Sequence, residues 1–253
     1  MTAAPRSAEQ LVADLRRLGV DAGDLVMVHA SLRALGAVTG GADGVLDALG
    51  EALGPTGTLL LMIGPGEGIG AFDALRTPVD PDVGVLAEVF RSRQGTLVSN
   101  HPEGRMGASG PLAAGLVTDV PWDDYYGPGS PLERFVHHRG RVLRLGADLD
   151  TVTLLHYAEY LAELPSKRRV VRHPLVLGPQ GPEHRAVTCL DDSDGIVAWP
   201  GPDYFGLILT AYLTTSRAAA GRVGDAASEL IDAADLVDFA VGWMAEHLTP
   251  FAT

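Results

Sequence analysis

The sequence has one cysteine, no long apolar run and few basic residues. Cys189 has no cysteine partner in the 253 residues, so neither an internal disulfide nor a cysteine-based metal site is predicted. No apolar run is long enough to cross a bilayer, and the amino terminus lacks a basic-then-apolar leader. These absences predict a cytoplasmic protein without a membrane span.

The sequence is also poor in basic residues relative to acidic ones. The 32 acidic side chains outnumber the 19 basic ones, and the formal net charge is −13 at pH 7. A nucleic-acid-binding protein needs a basic surface, so this class of function is excluded. The acidic excess favours a ligand that carries several positive charges, although an acidic composition also serves solubility alone.

The apolar pattern over the first half predicts an α/β fold. Residues 7–19 place apolar side chains at helical spacing between a candidate N-cap, Ser7, and Gly19. An apolar strand then ends at His29, a helix is predicted over 41–53, and a second apolar strand follows a Gly-Pro turn. Because strand, helix, strand is a crossover unit, we expect a central mixed, partly parallel sheet flanked by helices.

The carboxyl-terminal third differs in pattern. Short apolar pieces alternate with turns over 175–200, which predicts a smaller antiparallel layer, with a possible small subdomain at about 174–205. Residues 204–217 and 226–248 carry apolar side chains every three or four positions, so each stretch is predicted to be a helix. The whole chain, 1–253, is otherwise expected to form a single domain.

Two further segments suggest contacts with a ligand. Residues 64–73 are rich in glycine but lack the lysine and hydroxyl of a P-loop and the GxGxxG that opens a dinucleotide-binding helix. They are expected to form a loop over a site, where Glu67 is a candidate partner for a cationic ligand. The basic segment 166–174 is expected to be a solvated strand or loop, with contact to ligand phosphates as the alternative.

The stretch 142–159 carries the strongest chemical signal. An apolar strand reaches Gly146, passes an acidic turn and enters a helix near Thr151 or Thr153. Ligands of open α/β sheets gather beyond the carboxyl ends of strands, where His156 and Glu159 would face one crevice. A carboxylate that accepts one imidazole N–H makes the other nitrogen more basic. His156 is therefore a candidate general base.

Other catalytic arrangements are less well supported by the residues. His29, His101 and His156, with Asp150, could in principle bind zinc or iron, but no two histidines lie at the short spacings typical of such sites. Taken singly, a histidine at a strand end or before a proline is more often a structural hydrogen-bonding group. No GxSxG elbow is present, which disfavours a covalent serine mechanism.

Six blocks of the sequence, in order and in register, resemble the aminoglycoside 3-N-acetyltransferases of the antibiotic N-acetyltransferase family. The blocks are VHASLRALG (28–36), GPTGTLLLM (54–62), FDALRTPVDPDVGVLAEVF (72–90), SNHPEGRMGASG (99–110), GSPLERF (129–135) and GRVLRLGADLDTVTLLHYAEY (140–160). The resemblance covers about residues 8–245 and is looser in the carboxyl-terminal third. It implies the fold of that family.

The resemblance also implies an activity and its residues. The expected reaction is transfer of acetyl from acetyl-coenzyme A to the 3-amino group of a 2-deoxystreptamine antibiotic, which confers resistance. The implied catalytic residues are His156, Glu159, Asp150 and Thr153. The implied contacts with coenzyme A are His29, Ser31, Leu32, Arg33, Ser99, Asn100 and His101. No metal is implied.

Acidic side chains in predicted loops are the candidates for binding the cationic acceptor. They are Glu67, Asp123, Asp191, Asp192 and Asp194. The Thr153 hydroxyl or a backbone N–H at the helix start is the candidate oxyanion donor for a direct transfer. We expect a monomer or a homodimer. Three alternatives stay open: acetylation of another small-molecule amine, non-catalytic binding of coenzyme A or of the drug, and metal-dependent hydrolysis.

Overall fold

The computed structural model describes residues 4–66, 68, 70–162, 164, 167–192, 201 and 203–248. The helices within these ranges are α1 (Ala8–Leu18), α2 (Leu32–Leu35), α3 (Gly41–Leu53), α4 (Val85–Ser92), α5 (Ala113–Val117), α6 (Pro131–His137), α7 (Leu155–Leu161), α8 (Tyr204–Thr214) and α9 (Ala233–His247). The strands are β1 (Leu25–Ala30), β2 (Thr58–Met62), β3 (Leu97–Val98), β4 (Met106–Ser109), β5 (Arg141–Leu145), β6 (Arg169–Arg172), β7 (Leu175–Gly178), β8 (Gly181–His184), β9 (Val187–Leu190), β10 (Ala219–Val223) and β11 (Ala226–Asp232).

Seven strands form one mixed sheet in the order β10-β11-β5-β1-β2-β4-β3. β1 runs parallel to β2 and to β5, whereas the other neighbours in this sheet are antiparallel. β6 pairs with β9 and β7 with β8 in two small antiparallel ladders. The predicted fold class, a partly parallel sheet flanked by helices with a smaller antiparallel layer, is confirmed.

The central strand β1 divides the core into two parts. Val26 and Val28 belong to one hydrophobic cluster, and Leu25 and Met27 belong to the other, because successive side chains of a strand point to opposite faces of the sheet. Helices α1, α3 and α4 pack in the first cluster, and α5 to α9 pack in the second. The parallel strands are therefore buried on both faces, as their continuous apolar sequences predict.

The first helix begins and ends at the predicted residues. The Ser7 side chain accepts the backbone N–H of Gln10, and the Gln10 side chain accepts the backbone N–H of Ser7, which forms a capping box. Gly19 ends the helix with a φ of 105°, in the left-handed region that glycine adopts at low cost.

The prediction of a helix over 226–248 is wrong for residues 226–232. Residues Ala226–Asp232 form β11, which pairs antiparallel with β5, and only Ala233–His247 is helical. Asp232 marks the change, because its carboxylate accepts the backbone N–H of Asp235 and caps α9. Four consecutive buried residues in β11 produced an apolar pattern that spacing alone did not separate from a helix.

None of the helices in the described ranges is both long and apolar enough to cross a membrane.

Candidate active site

A cavity of about 760 Å³ lies beyond the carboxyl ends of β1, β2 and β5, the parallel strands of the sheet. Its volume is in the range of about 300 to 1,000 Å³ that is usual for small-molecule sites. The polar side chains on its wall are those of His29, Ser31, Arg33, Asp80, Asp82, Asp148, Thr151 and Thr153. This is the edge of the sheet at which the sequence predicted a site.

His29 contributes an unpartnered nitrogen to this wall. Its side chain is 8% exposed, and its Nε2 atom is buried without a hydrogen-bond partner among the described residues. Burial lowers the pKa of His29 to about 4, so the imidazole is neutral at pH 7. A buried polar atom normally has a partner, so Nε2 is a candidate contact for a bound molecule.

The loop after β1 places Ser31, Leu32 and Arg33 on the same wall. The Ser31 hydroxyl accepts the backbone N–H of Ala34 at 3.3 Å and thereby caps the short helix α2. Arg33 is exposed, and no carboxylate of the described residues forms a salt bridge with it. Its guanidinium is therefore available to an anionic group.

His156 and Glu159 form the predicted hydrogen-bonded pair. His156 Nδ1 lies 3.0 Å from Glu159 Oε2, and the side chain of Glu159 is only 2% exposed. Both lie on α7, which begins at Leu155 and not at Thr151 or Thr153 as predicted. A turn precedes the helix, in which the backbone N–H of His156 donates to the Thr153 carbonyl. An ionised Glu159 accepts the Nδ1 proton and leaves Nε2 with a free lone pair.

Aromatic rings fix the plane of the His156 imidazole. The ring of Tyr126 stacks on it, with centroids 4.8 Å apart, and the ring of Phe205 meets it edge-on at 4.8 Å. The Tyr126 hydroxyl lies 3.7 Å from the sulfur of Met62, and Met62 and Thr153 both line the cavity. The imidazole is 20% exposed, and His156 itself is not among the residues that line the cavity.

Asp150, the alternative partner for the imidazole, lies elsewhere. It is exposed in the turn after β5, and its Cβ is 3.8 Å from the position that a side chain on Gly206 would take. Among the described residues the only carboxylate paired with His156 is that of Glu159. Of the two expected partners, it is therefore Glu159 that contacts the imidazole in the structure.

Ser99 and His101, two of the expected coenzyme contacts, are buried and hydrogen-bonded within the protein. Both side chains are 0% exposed, and Ser99 accepts the backbone N–H of Met106 at 2.8 Å. His101 Nε2 lies 2.8 Å from the Trp122 carbonyl, and Nδ1 accepts the backbone N–H of Gly104 at 2.9 Å. These internal bonds use both ring nitrogens. Asn100 is exposed but does not line the cavity.

Three of the expected acceptor-binding acids, Asp191, Asp192 and Asp123, form bonds within the protein. Asp191 is 3% exposed and forms salt bridges with Arg168 and Arg172, and Arg172 also binds Asp192. Neither carboxylate is a free loop charge, because both help to attach β6 to the end of β9. Asp123 is exposed and accepts the backbone N–H of Thr188.

Glu67 and Asp194, the other expected acceptor-binding acids, lie outside the described residues. The acids that do line the cavity are Asp80, Asp82 and Asp148. The sequence analysis placed chemistry at the acidic turn that contains Asp148 but named none of the three as an acceptor contact, although Asp148 lies just beyond a predicted strand end and Asp80 precedes a predicted helix start. These two positions were the signal that could have identified them.

Two of the three candidate metal-binding histidines have hydrogen bonds within the protein. His156 bonds to Glu159, and His101 bonds to backbone groups in a turn. Across the ranges that the structure describes, no group of three or more His, Cys, Asp or Glu side chains is arranged to hold a metal ion.

Comparison with known proteins gives one consistent result. Residues 27–245 match the family described as aminoglycoside 3-N-acetyltransferase. The aminoglycoside N(3)-acetyltransferase III of Serratia marcescens is 42% identical over 94% of this chain and 97% of its own length. The solved structure of AAC-IIIb in a binary complex with CoASH has a TM-score of 0.92, with 36% identity over 97% of this chain and 98% of that one. That of sisomicin-bound AAC-VIa has a TM-score of 0.91, with 38% identity over 97% and 100%.

Proposed function

Since this chain belongs to the aminoglycoside 3-N-acetyltransferase family, we propose that it acetylates the 3-amino group of a 2-deoxystreptamine aminoglycoside, with His156 as the general base. The observation that carries the proposal is the His156–Glu159 pair, whose imidazole is held between two aromatic rings and lies three residues after Thr153, which lines the cavity. The acetyl donor is acetyl-coenzyme A, and the enzyme is an acyltransferase.

The cavity fits a molecule with the chemistry of coenzyme A. Its volume of about 760 Å³ suits an extended ligand, and Arg33 offers an unpaired guanidinium to phosphate oxygens. The unpartnered Nε2 of His29 offers a hydrogen bond to a polar group of the donor. We assign the loop Ser31, Leu32 and Arg33 to the donor and Asp80, Asp82 and Asp148 to the cationic acceptor.

The proposed reaction is a direct transfer. The acceptor nitrogen attacks the thioester carbonyl carbon, a C–N bond forms, and the carbonyl oxygen takes the negative charge. His156 Nε2 accepts the proton that the attacking nitrogen must lose. The tetrahedral intermediate then collapses, the C–S bond breaks, and the leaving thiolate of coenzyme A takes that proton from the imidazolium. The enzyme returns to its starting state without an acetyl-enzyme.

Thr153 is the proposed donor to the developing oxyanion. It lines the cavity, and its carbonyl accepts the backbone N–H of His156, so the hydroxyl and the imidazole belong to one turn. A donor of this kind is typically worth about 3 kcal/mol in the transition state.

The test uses purified protein with acetyl-coenzyme A and sisomicin. Free thiol should appear only when both are present, and NMR of the product should show acetyl on the 3-amino group. His156→Asn keeps an N–H donor near the position of Nδ1 but removes Nε2 as a base, so kcat should fall roughly 100-fold or more. His184→Asn, on an exposed strand, is the matched control.

Three results would contradict the proposal. If a simple polyamine supports thiol release and none of the aminoglycosides does, the protein acetylates another kind of amine. Tight binding of coenzyme A without thiol release would indicate a non-catalytic binding protein. A His156→Asn protein that folds and turns over at the normal rate would remove the assignment of the base.

A further inference from the structure

The carboxylate of Glu159 has partners on both oxygens. Oε2 faces His156, whereas Oε1 accepts a hydrogen bond from Lys167 Nζ at 2.6 Å and another from the hydroxyl of Tyr204. Lys167 Nζ lies a further 3.2 Å from the Tyr204 hydroxyl, so the three groups contact one another. The side chains of Glu159 and Lys167 are both 2% exposed, and Tyr204 is 3% exposed.

Lys167 is unusual in the sequence as well as in its burial. It is the only lysine among the 253 residues, so the other 18 of the 19 basic side chains are arginines. A buried ammonium is costly unless it meets a counter-charge, and the only carboxylate paired with it in the described ranges is Glu159. The single lysine is therefore placed where it contacts the carboxylate that orients His156.

The protonation state of Glu159 decides which nitrogen of His156 holds the proton. An ionised carboxylate accepts Nδ1–H and leaves Nε2 free to act as a base. A protonated carboxyl group instead donates its O–H to Nδ1, and the neutral ring then carries its proton on Nε2, where it blocks proton abstraction. A buried carboxylate without a counter-charge tends to take up a proton.

We propose that Lys167 and Tyr204 are positioning residues that keep Glu159 ionised and so hold His156 in the tautomer with Nε2 free. The ammonium supplies the counter-charge, and the Tyr204 hydroxyl supplies the second hydrogen bond to the same oxygen. The role of this tautomer in acetyl transfer rests on the proposed function. The tautomer itself is a property of the resting protein.

The beginning of α8 connects this arrangement to the imidazole. Tyr204 bonds to Glu159, and its neighbour Phe205 meets the His156 ring edge-on. Asp203 accepts the backbone N–H of Phe205 at 2.7 Å and caps the helix, which sets the direction of both side chains. One helix start thus contacts both members of the pair.

The first experiment does not depend on activity. With ¹⁵N,¹³C-lysine labelling the side chain of Lys167 gives the only lysine signals, so its charge state is read without assignment. The His156 ring is identified by its loss in His156→Asn, and its ¹⁵N shifts report the tautomer. We expect a charged Lys167 and a proton on Nδ1 of His156 in the native protein.

Two variants then test the dependence on Lys167. Lys167→Met keeps the length of the side chain without its charge, and we expect the neutral His156 ring to carry its proton on Nε2 instead of Nδ1. Tyr204→Phe removes one hydroxyl and should give a mixture of the two His156 tautomers. This variant still tests the proposal if Lys167→Met does not fold. Arg169→Met is the matched control, because it removes a cation two residues away that pairs with Asp124.

The kinetic prediction separates positioning from a structural role. Lys167→Met should lower kcat roughly 10- to 100-fold with little change in KM for acetyl-coenzyme A, and the acid limb of kcat against pH should move to higher pH. Lys167→Arg, which restores the charge, should recover part of kcat. A loss of kcat that is equal at every pH, with His156 unchanged in its ¹⁵N spectrum, would overturn the proposal.

The outcome for this proposal is distinct from that for the acetyltransferase activity. If the native protein releases no thiol with any aminoglycoside, the proposed function fails while the ¹⁵N spectra still decide the tautomer. If the native His156 already carries its proton on Nε2, or Lys167 is neutral, the positioning role is wrong whatever the activity.

Discussion

The imidazole of His156 lies almost parallel to the ring of Tyr126, with 5° between their planes. Tyr126 meets Tyr125 edge-on at a centroid distance of 4.7 Å, and Tyr125 packs against His101 at 4.6 Å. Four rings in contact therefore extend from the proposed base to the buried turn at His101. The two histidines differ in exposure, because the His156 side chain is 20% exposed and His101 is fully buried.

Removal of the Tyr126 ring should impair the base indirectly. Tyr126→Ala leaves a cavity beside His156, so we expect a loss of about 3 to 5 kcal/mol in unfolding free energy and a kcat at least roughly tenfold lower. Tyr126→Phe keeps the ring and loses only the hydroxyl near the Met62 sulfur, so its losses should be smaller. Urea unfolding and thiol release measure the two effects. Equal kcat in both variants would exclude a role for stacking.

Buried histidines should make the protein sensitive to acid. Burial lowers the pKa of both His29 and His101 to about 4, below the value of about 6.5 in an unfolded chain. The unfolded state therefore binds protons that the folded state does not, so stability is complete above about pH 6.5 and falls towards pH 4. Each histidine contributes about 3 kcal/mol to this loss.

His101→Gln tests the acid sensitivity by its slope. Between about pH 6.5 and 4, the variant should lose stability less steeply than the wild type by about 1.4 kcal/mol per pH unit. Unfolding free energies from urea titrations at several pH values give this slope. The double variant with His29→Gln should flatten the curve about twice as much, and parallel curves for all three proteins would contradict the assignment.

Sequence spacing predicted the His156–Glu159 pair because both residues lie on one helix, where the contact depends on local geometry. It did not predict Lys167 or Tyr204, which reach Glu159 from a later loop and from a helix 45 residues away. Tyr126 likewise comes from an irregular passage before α6. Such contacts are fixed by the packing of separate elements, and no periodicity along the chain records them.

The fold likewise contains elements that the local sequence predicts and elements that depend on tertiary contacts. Caps and apolar runs identified α1 and the parallel strands, whereas β11 depended on its pairing with β5 and was mistaken for a helix. The histidine-proline resemblance placed His101 near the coenzyme, but the structure buries its ring against backbone groups. His101 is not among the residues that line the cavity, and a sequence motif alone does not show whether a side chain is buried.

Arg33 should bind the phosphates of the acetyl donor. Arg33→Met removes an exposed guanidinium from the cavity wall, and we expect KM for acetyl-coenzyme A to rise roughly tenfold or more with kcat little changed. The same variant should be indistinguishable from wild type with acetyl-pantetheine, which lacks the nucleotide phosphates. Arg16→Met, on the exposed side of α1, controls for net charge. An equal effect with both donors would show that Arg33 acts on something other than phosphate.

Carboxylates on the cavity wall should set the affinity for the cationic acceptor. Asp80, Asp82 and Asp148 line the cavity, and Asp148 lies in the turn between β5 and the helix that carries His156. Their negative potential attracts ammonium groups and is screened by salt, so KM for sisomicin should rise with ionic strength while KM for acetyl-pantetheine, which is uncharged, stays nearly constant.

Asp148→Asn separates a local contact from the net charge of −13. Loss of one ammonium–carboxylate contact should raise KM for sisomicin roughly 5- to 10-fold and weaken its dependence on salt. Glu51→Gln changes the net charge equally but lies exposed on α3, away from the cavity, so it should leave both quantities unchanged. If the two variants shift KM by the same factor, the acceptor responds to the overall field of the protein and Asp148 makes no direct contact with it.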